Sequence, residues 1–335
     1  MERVKINFAF RRIFVWKLDV LAPPFSFDGD FSSPVPLFAT KVSAGRQPRA
    51  EKCAPQWYKS KAFAQTFFNK PSETTRLKPA LIDFQNIRVM RGEKFALDDF
   101  SLRIMPQEHI AIIGPNGCGK STLIKTITRE CYPVPRDNSR ITILGNERWN
   151  VFELRLLLGI VSNDLMDRLK GEITGREIVL SGFFSSMQVF ANHHVEPDHV
   201  QKTNAVLERL DAAHLADRPL AELSSGEAQR ILIARALVHD PLALVFDEPS
   251  NSLDILMQHK LREAMRGLAQ SGVGIVLVTH HAADIIPEIE RVVLMREGRV
   301  VADGHKDELL TSDRMSKLFG YPVEIVRRDG FYHIW

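Results

Sequence analysis

The sequence predicts an α/β fold with a mostly parallel core sheet, an antiparallel β portion at its N-terminal side and a helical subdomain. Three observations predict it. Unbroken apolar runs at 109–114 (HIAIIG), 242–248 (LALVFDE) and 274–280 (GIVLVTH) each precede helix-like sequence. Runs of that kind are buried parallel strands, and strands alternating with helices imply a sheet covered on both faces. Upstream, 81–89 (LIDFQNIRV) and 100–104 (FSLRI) alternate apolar and polar residues, as half-buried strands do. Residues from roughly 165 to 222 hold no such runs and read as helices, 174–190 and then 198–210 after a start at Pro197.

The 335 residues allow one large domain or two smaller ones, and 44% hydrophobic with 25% charged residues is an ordinary globular composition. The net charge of +3 is unevenly spread. Residues 1–78 carry +8, which leaves −5 on 79–335. A mildly acidic body argues against a nucleic-acid-binding surface. The basic segment mixes seven prolines with scattered Phe and shows no sustained periodicity, so it reads as a poorly ordered extension; the alternative is a basic arm for a membrane surface or a partner. Cys53, Cys118 and Cys131 have no metal-ligand spacing and suggest a reducing compartment. No run of about 20 apolar residues is present, and Arg11, Arg12, Lys17 and Asp19 interrupt the N-terminal stretch that a secretory signal would need.

The chemistry begins at Gly114-Pro115-Asn116-Gly117-Cys118-Gly119-Lys120-Ser121-Thr122, a complete G-x-x-x-x-G-K-[ST] between a strand and a helix. Its glycines let successive backbone N–H groups converge on phosphate oxygens, and the helix N-terminus adds partial positive charge. Lys120 reaches the β- and γ-phosphates of a nucleoside triphosphate, and the Ser121 hydroxyl ligates Mg²⁺. Asp247, at the end of an apolar strand, is placed to help hold the hydrated ion. Cys118 occupies a variable loop position and reads as a tolerated small residue, with a reactive thiol as the alternative.

Further motifs follow in a fixed order: Leu223-Ser224-Ser225-Gly226-Glu227 before a helix with ILIARAL, then LALVFDEPSNSLD (242–254), then LVTHH (277–281). Together they resemble the signature, Walker B, D-loop and switch-histidine motifs of the ATP-binding-cassette ATPases, a class of P-loop NTPase, over about residues 80–310. The resemblance implies that Glu248 polarises the attacking water, that His280 contacts the γ-phosphate, and that Asp254 couples two subunits; His281 is expected to be an ordinary surface residue. It also implies a homodimer held through ATP, in which Ser224 and the backbone around Gly226 cap the γ-phosphate bound by the other subunit. The catalytic set is thus Glu248, His280 and Lys120, and the metal set is Ser121, Asp247 and Asn163.

Three positions depart from the family pattern. Asn163 stands where a Q-loop glutamine is expected, one methylene shorter. No Tyr stands where an aromatic meets adenine, which leaves Arg91 or Phe95 for that contact. Ser225 and Glu227 replace a glycine and a glutamine of the signature.

Domain limits are expected at 1–78 for the extension, 79–312 for the ATPase domain with its helical subdomain at about 165–225, and 313–335 for a terminal helix and strand or hairpin. The favoured function is the Mg-ATP-hydrolysing subunit of a transporter, cytoplasmic and peripheral on the inner face of the membrane, partnered by a separate integral-membrane protein. The alternative is a soluble cassette of nucleic-acid repair or translation. Thr122 and Leu223 are about 100 residues apart with no heptads between, and the chain holds one cassette, so transport is preferred. A finer similarity, in 174–187 (TGREIVLSGFFSSM) and THHAADI, is to the molybdenum-transport-associated ModF-like group.

Overall fold

The computed structural model describes residues 79–162 and 172–335. The 1–78 extension and Asn163 therefore lie outside the described residues.

Strands β1 (Ile82–Arg91) and β2 (Lys94–Ile104) form an antiparallel hairpin. Ile82, Phe84, Ile87 and Val89 of β1 face inward with Leu97, Phe100, Leu102 and Ile104 of β2. The short strand β4 (Arg140–Ile143) adds to β1, giving the order β2-β1-β4. This is the expected antiparallel portion, with one strand more than the alternation at 81–104 announces.

The main sheet has the order β5-β6-β7-β3-β8-β9. Its members are β3 (His109–Ile113), β5 (Leu158–Ser162), β6 (Ala243–Asp247), β7 (Gly274–Thr279), β8 (Arg291–Arg296) and β9 (Arg299–His305). The first five strands in that order are parallel, and β9 returns antiparallel to β8. Alternate side chains of each strand enter different cores. Ala111, Ile113, Leu244, Phe246, Ile275 and Leu277 pack with helices α5 (Ser225–Leu237) and α6 (Ile255–Gln270). Ile110, Ile112, Val245, Val276 and Val278 pack with α1 (Lys120–Ile127) and the antiparallel sheet. Each fully buried large aliphatic or aromatic side chain stabilises by roughly 1.5–3 kcal/mol, so this two-sided burial fixes the strand ends that carry the site.

Helices fill the segment before α5. Between β4 and β5 comes α2 (Val151–Leu157), and beyond β5 come α3 (Gly175–Ser181) and α4 (Pro197–Arg209). Pro at the first position of α4 follows the sequence expectation. The helix expected over 174–190 is shorter: α3 passes into a single 3-10 turn at Gly182–Phe184 and stops at Ser185, whose φ is 50°. The cause is tertiary, because Arg155 donates to the Ser185 carbonyl and Arg235 to that of Ser186, drawing both out of the helical ladder. After β9 the chain forms α7 (Lys306–Leu309), α8 (Ser312–Phe319) and a hairpin of β10 (Ile325–Arg328) and β11 (Phe331–Ile334).

Candidate functional site

Parallel strands deliver their C-terminal ends to one edge of the sheet, and the motif residues gather there. Leaving β3, Gly114 approaches β8 so closely that a Cβ would lie 2.2 Å from the Met295 carbonyl oxygen. Gly119 has φ 110°, and a Cβ there would meet the Ala96 oxygen at 2.3 Å. Space alone demands glycine at Gly114; at Gly119 the space and the backbone both do. Gly119 is also the N-cap of α1 and supplies no side-chain cap, which leaves the first N–H groups of the helix open to an anion. Pro115, Asn116 and Gly117 form the outer turn, Ser121 is exposed and Thr122 is buried.

Cys118 is buried, and burial pushes its thiol above the ordinary range despite the nearby Lys120 ammonium. Its carbonyl accepts a hydrogen bond from Gly298 N–H at 2.8 Å. Of the two readings of this cysteine, packing is the one the structure carries.

The Lys120 side chain is only 4% exposed. Its Nζ donates to the carbonyls of Gly114 (2.8 Å) and Pro115 (3.1 Å) and lies 3.3 Å from Glu248 Oε1. Glu248 follows the last residue of β6 with φ 47°, a left-handed conformation rare for its type, held by its N–H donating to the Val278 carbonyl at 2.8 Å. His280 Nδ1 stands 3.2 Å from the same Oε1, and Asn251 Nδ2 donates to Oε2 at 2.7 Å. Burial acts to raise the Glu248 pKa, but the contacts from Asn251 and His280 and the charge of Lys120 outweigh it and hold the carboxyl below its ordinary value. The result is an ionised carboxylate aimed by three neighbours. Asn251 belongs to the set and had no role in the sequence reading; the clue was its place three residues after Glu248, in the turn that a strained residue opens. His281 is exposed beside His280, their rings 3.8 Å apart.

Ser121 and Asp247 line one cavity of about 370 Å³ together with Ser162, the last residue of β5. Arg155, Arg235 and His239 line it as well. Burial and the charge of Arg155 bring the Arg235 pKa down to about 10.

The remaining candidates lie apart from this cluster. Ser224 caps α5 in a reciprocal box, with Ser224 Oγ accepting from Glu227 N–H and Glu227 Oε2 accepting from Ser224 N–H at 2.8 Å. Gly226 lets α5 approach Met257 of α6, since a Cβ would lie 2.3 Å from its sulfur. Asp254 caps α6 by accepting from Met257 N–H at 2.8 Å. Arg91 is exposed at the end of β1, opposite Lys94. Phe95, 47% exposed, pairs with Met90, and the Arg88 guanidinium lies 5.3 Å from the centre of its ring.

Comparison with known proteins places this geometry. The family model described as "ABC transporter" matches residues 97–251. An uncharacterized ABC transporter ATP-binding protein of Bacillus subtilis, YlmA, is 32% identical over 251 residues, covering 73% of this chain and 93% of that protein. The hemin import ATP-binding protein HmuV of Hahella chejuensis is 32% identical over 243 residues, covering 70% and 90%. Among solved structures, CbiO1 of Clostridium perfringens, part of an ABC transporter complex, is similar with a TM-score of 0.60 and 25% identity over 72% of this chain and 94% of that one. The ADP conformation of another ABC transporter cassette gives a TM-score of 0.62 and 25% identity, covering 72% and 98%. These likenesses decide against the soluble repair or translation alternative. The chain belongs to the ATP-binding-cassette family, as an ATP-binding ATPase that powers a transporter.

Proposed function

We propose that Gly114–Thr122 wraps the phosphates of Mg-ATP, with Lys120 turning from the Gly114 and Pro115 carbonyls to the β- and γ-phosphates. Ser121 and Asp247 hold Mg²⁺. Their fit rests on the cavity that both line, where a hydroxyl and a carboxylate suit an ion that keeps its waters and takes phosphate oxygens. The ion, when bound, supplies charge neutralisation between the phosphates. Glu248 orients and polarises the attacking water, and His280 steadies Glu248 and meets the γ-phosphate. The adenine stacks on the exposed hairpin edge at Arg91 and Phe95, and Asn163 completes the metal side.

Ser224 and the backbone at Gly226 of a second copy cap the γ-phosphate, so that two ATP molecules join a homodimer. The dimer sits against an integral-membrane partner at the inner face of the membrane; among the described residues no helix is long and apolar enough to cross it. No direct nucleic-acid contact belongs to this function.

The observation that carries the reading is Glu248, ionised and held within 3.3 Å of both Lys120 and His280. It is tested by light scattering on the Glu248→Gln protein with and without Mg-ATP, beside wild-type ATPase rates. Turnover lost only in the variant, with a dimer that needs ATP, supports it. A wild-type protein without turnover, or a variant that keeps it, removes Glu248 from the mechanism.

A further inference from the structure

Behind Glu248 and His280 lies a buried carboxyl that the catalytic set does not use. Asp284 is 3% exposed and sits in the single 3-10 turn Ala282–Asp284 that follows the two histidines. Its Oδ2 accepts from Ser250 Oγ at 2.8 Å and from Thr279 Oγ1 at 2.7 Å. Ser250 comes two residues after Glu248, and Thr279 immediately precedes His280. Both hydroxyls are themselves buried. Thr279 Oγ1 also accepts from His281 N–H at 3.0 Å, so its own proton is committed to Asp284.

One carboxylate oxygen therefore ties together the loop that carries the water-orienting carboxylate and the loop that carries the switch histidine. The turn bearing Asp284 is anchored from outside as well. Arg262 of α6 donates to the Ala283 carbonyl at 3.2 Å, and the same guanidinium lies 5.3 Å from the centre of the Phe331 ring in β11. A left-handed backbone at Glu248 persists only where its surroundings over-determine it, and Asp284 fixes the chain on the far side of that strained residue.

We propose that Asp284 is a positioning residue for ATP hydrolysis: by accepting the Ser250 and Thr279 hydroxyls at one oxygen, it sets the distance between Glu248 and His280. The proposal rests on the roles given above to those two residues. It separates Asp284 from a plain core residue, because what it supplies is an acceptor at a defined point. A neutral amide oxygen supplies that too, whereas a methyl group does not.

The experiment is steady-state ATPase kinetics on the full chain for Asp284→Ala, Asp284→Asn and Ser250→Ala, with thermal unfolding and binding of a fluorescent ATP analogue for each. Glu248→Gln runs beside them as the control. A loss of positioning alone lowers kcat and leaves ground-state binding in place. Asp284→Ala is expected to lose about 10-fold or more in kcat, with KM and analogue affinity within about 2-fold of wild type. Asp284→Asn is expected to recover most of that loss, and Ser250→Ala to fall between.

Wild-type kcat in Asp284→Ala overturns the proposal. So does an Asn variant as slow as the Ala variant, or a KM that rises in step with any loss of rate. Should Asp284→Ala not fold, Ser250→Ala and Thr279→Val decide the matter by the same kcat-against-KM criterion. If instead Glu248→Gln retains turnover, the functional reading itself has failed and the inference falls with it.

Discussion

The helices α1 and α5 both begin at a phosphate-binding motif of the family, yet their N-termini are built in opposite ways. The first turn of α1 follows a glycine and receives no side-chain cap. That of α5 is closed on itself, with Ser224 and Glu227 satisfying each other's backbone N–H groups. An uncapped terminus leaves four donors without partners, which a globular protein tolerates where a ligand supplies the acceptors. The comparison teaches that the α5 terminus already holds an anion of its own, the Glu227 carboxylate, whereas that of α1 holds none. Under the proposed function the former exchanges it for the phosphate of a second chain, and the latter takes phosphate within one chain.

The largest expected effect breaks the α1 side. Gly119→Val places a branched side chain where a Cβ alone would lie 2.3 Å from the Ala96 oxygen, at a φ of 110°. Nucleotide affinity should fall by about 100-fold or more, since the loop loses the curvature that aims its amides. Fluorescent-nucleotide titration measures it. Binding that stays at the wild-type level would mean that the loop tolerates another path and that the open terminus is not the phosphate site.

On the α5 side, Ser224→Arg should leave monomer nucleotide binding intact and abolish ATP-driven dimerisation in the Glu248→Gln background. Light scattering reads this directly, and a variant that still dimerises would take the signature out of the interface. Glu227→Gln is the subtler probe. Its carboxylate is held below the ordinary range, first by the Ser224 N–H. It therefore brings a full negative charge to the terminus that a γ-phosphate would approach. Removing the charge costs α5 about 0.3–1 kcal/mol of helix-terminus stabilisation. Relief of repulsion in the closed dimer should exceed that cost and tighten dimerisation by about 3- to 10-fold at low ionic strength, with the gain shrinking as salt rises. No gain at low salt would show that Glu227 swings clear of the phosphate.

Much of this contrast was legible in the sequence, because each element is local. The phosphate loop, the Asp247-Glu248 pair and the Ser224–Glu227 spacing all lie within a few consecutive residues, and apolar runs placed each at the end of a strand or the start of a helix. What escaped depends on distant partners. Asp284 acts on Ser250 across 34 residues, and no spacing rule announces such a pair. The helix expected to reach residue 190 stops early because Arg155 and Arg235, both remote in sequence, take the carbonyls of Ser185 and Ser186 just beyond it. Strand β4 joins the antiparallel sheet on the strength of four residues, too few to show a period.

The last effect concerns the far end of α5, where burial rather than ligand demand sets the chemistry. His239 follows the helix, and its Nε2 meets the Gly182 carbonyl at 3.1 Å. Burial brings its pKa down to about 4, against an ordinary 6.5, so the ring is neutral in the folded protein and Nε2 is the donor. Between those two values the unfolded chain takes up a proton that the folded chain refuses. Stability must therefore fall as pH drops below about 6.5 and level off near the folded value, by at most about 3 kcal/mol from this group. His239→Gln keeps a donor for the Gly182 carbonyl and cannot titrate. Denaturant unfolding from pH 7.5 to 4.5 should show a shallower acid slope in that variant, with a residual slope to which His109, His199 and His281 contribute, since burial lowers the pKa of each. Equal slopes in the two proteins would mean that water reaches His239 in the folded protein and that burial does not set its protonation.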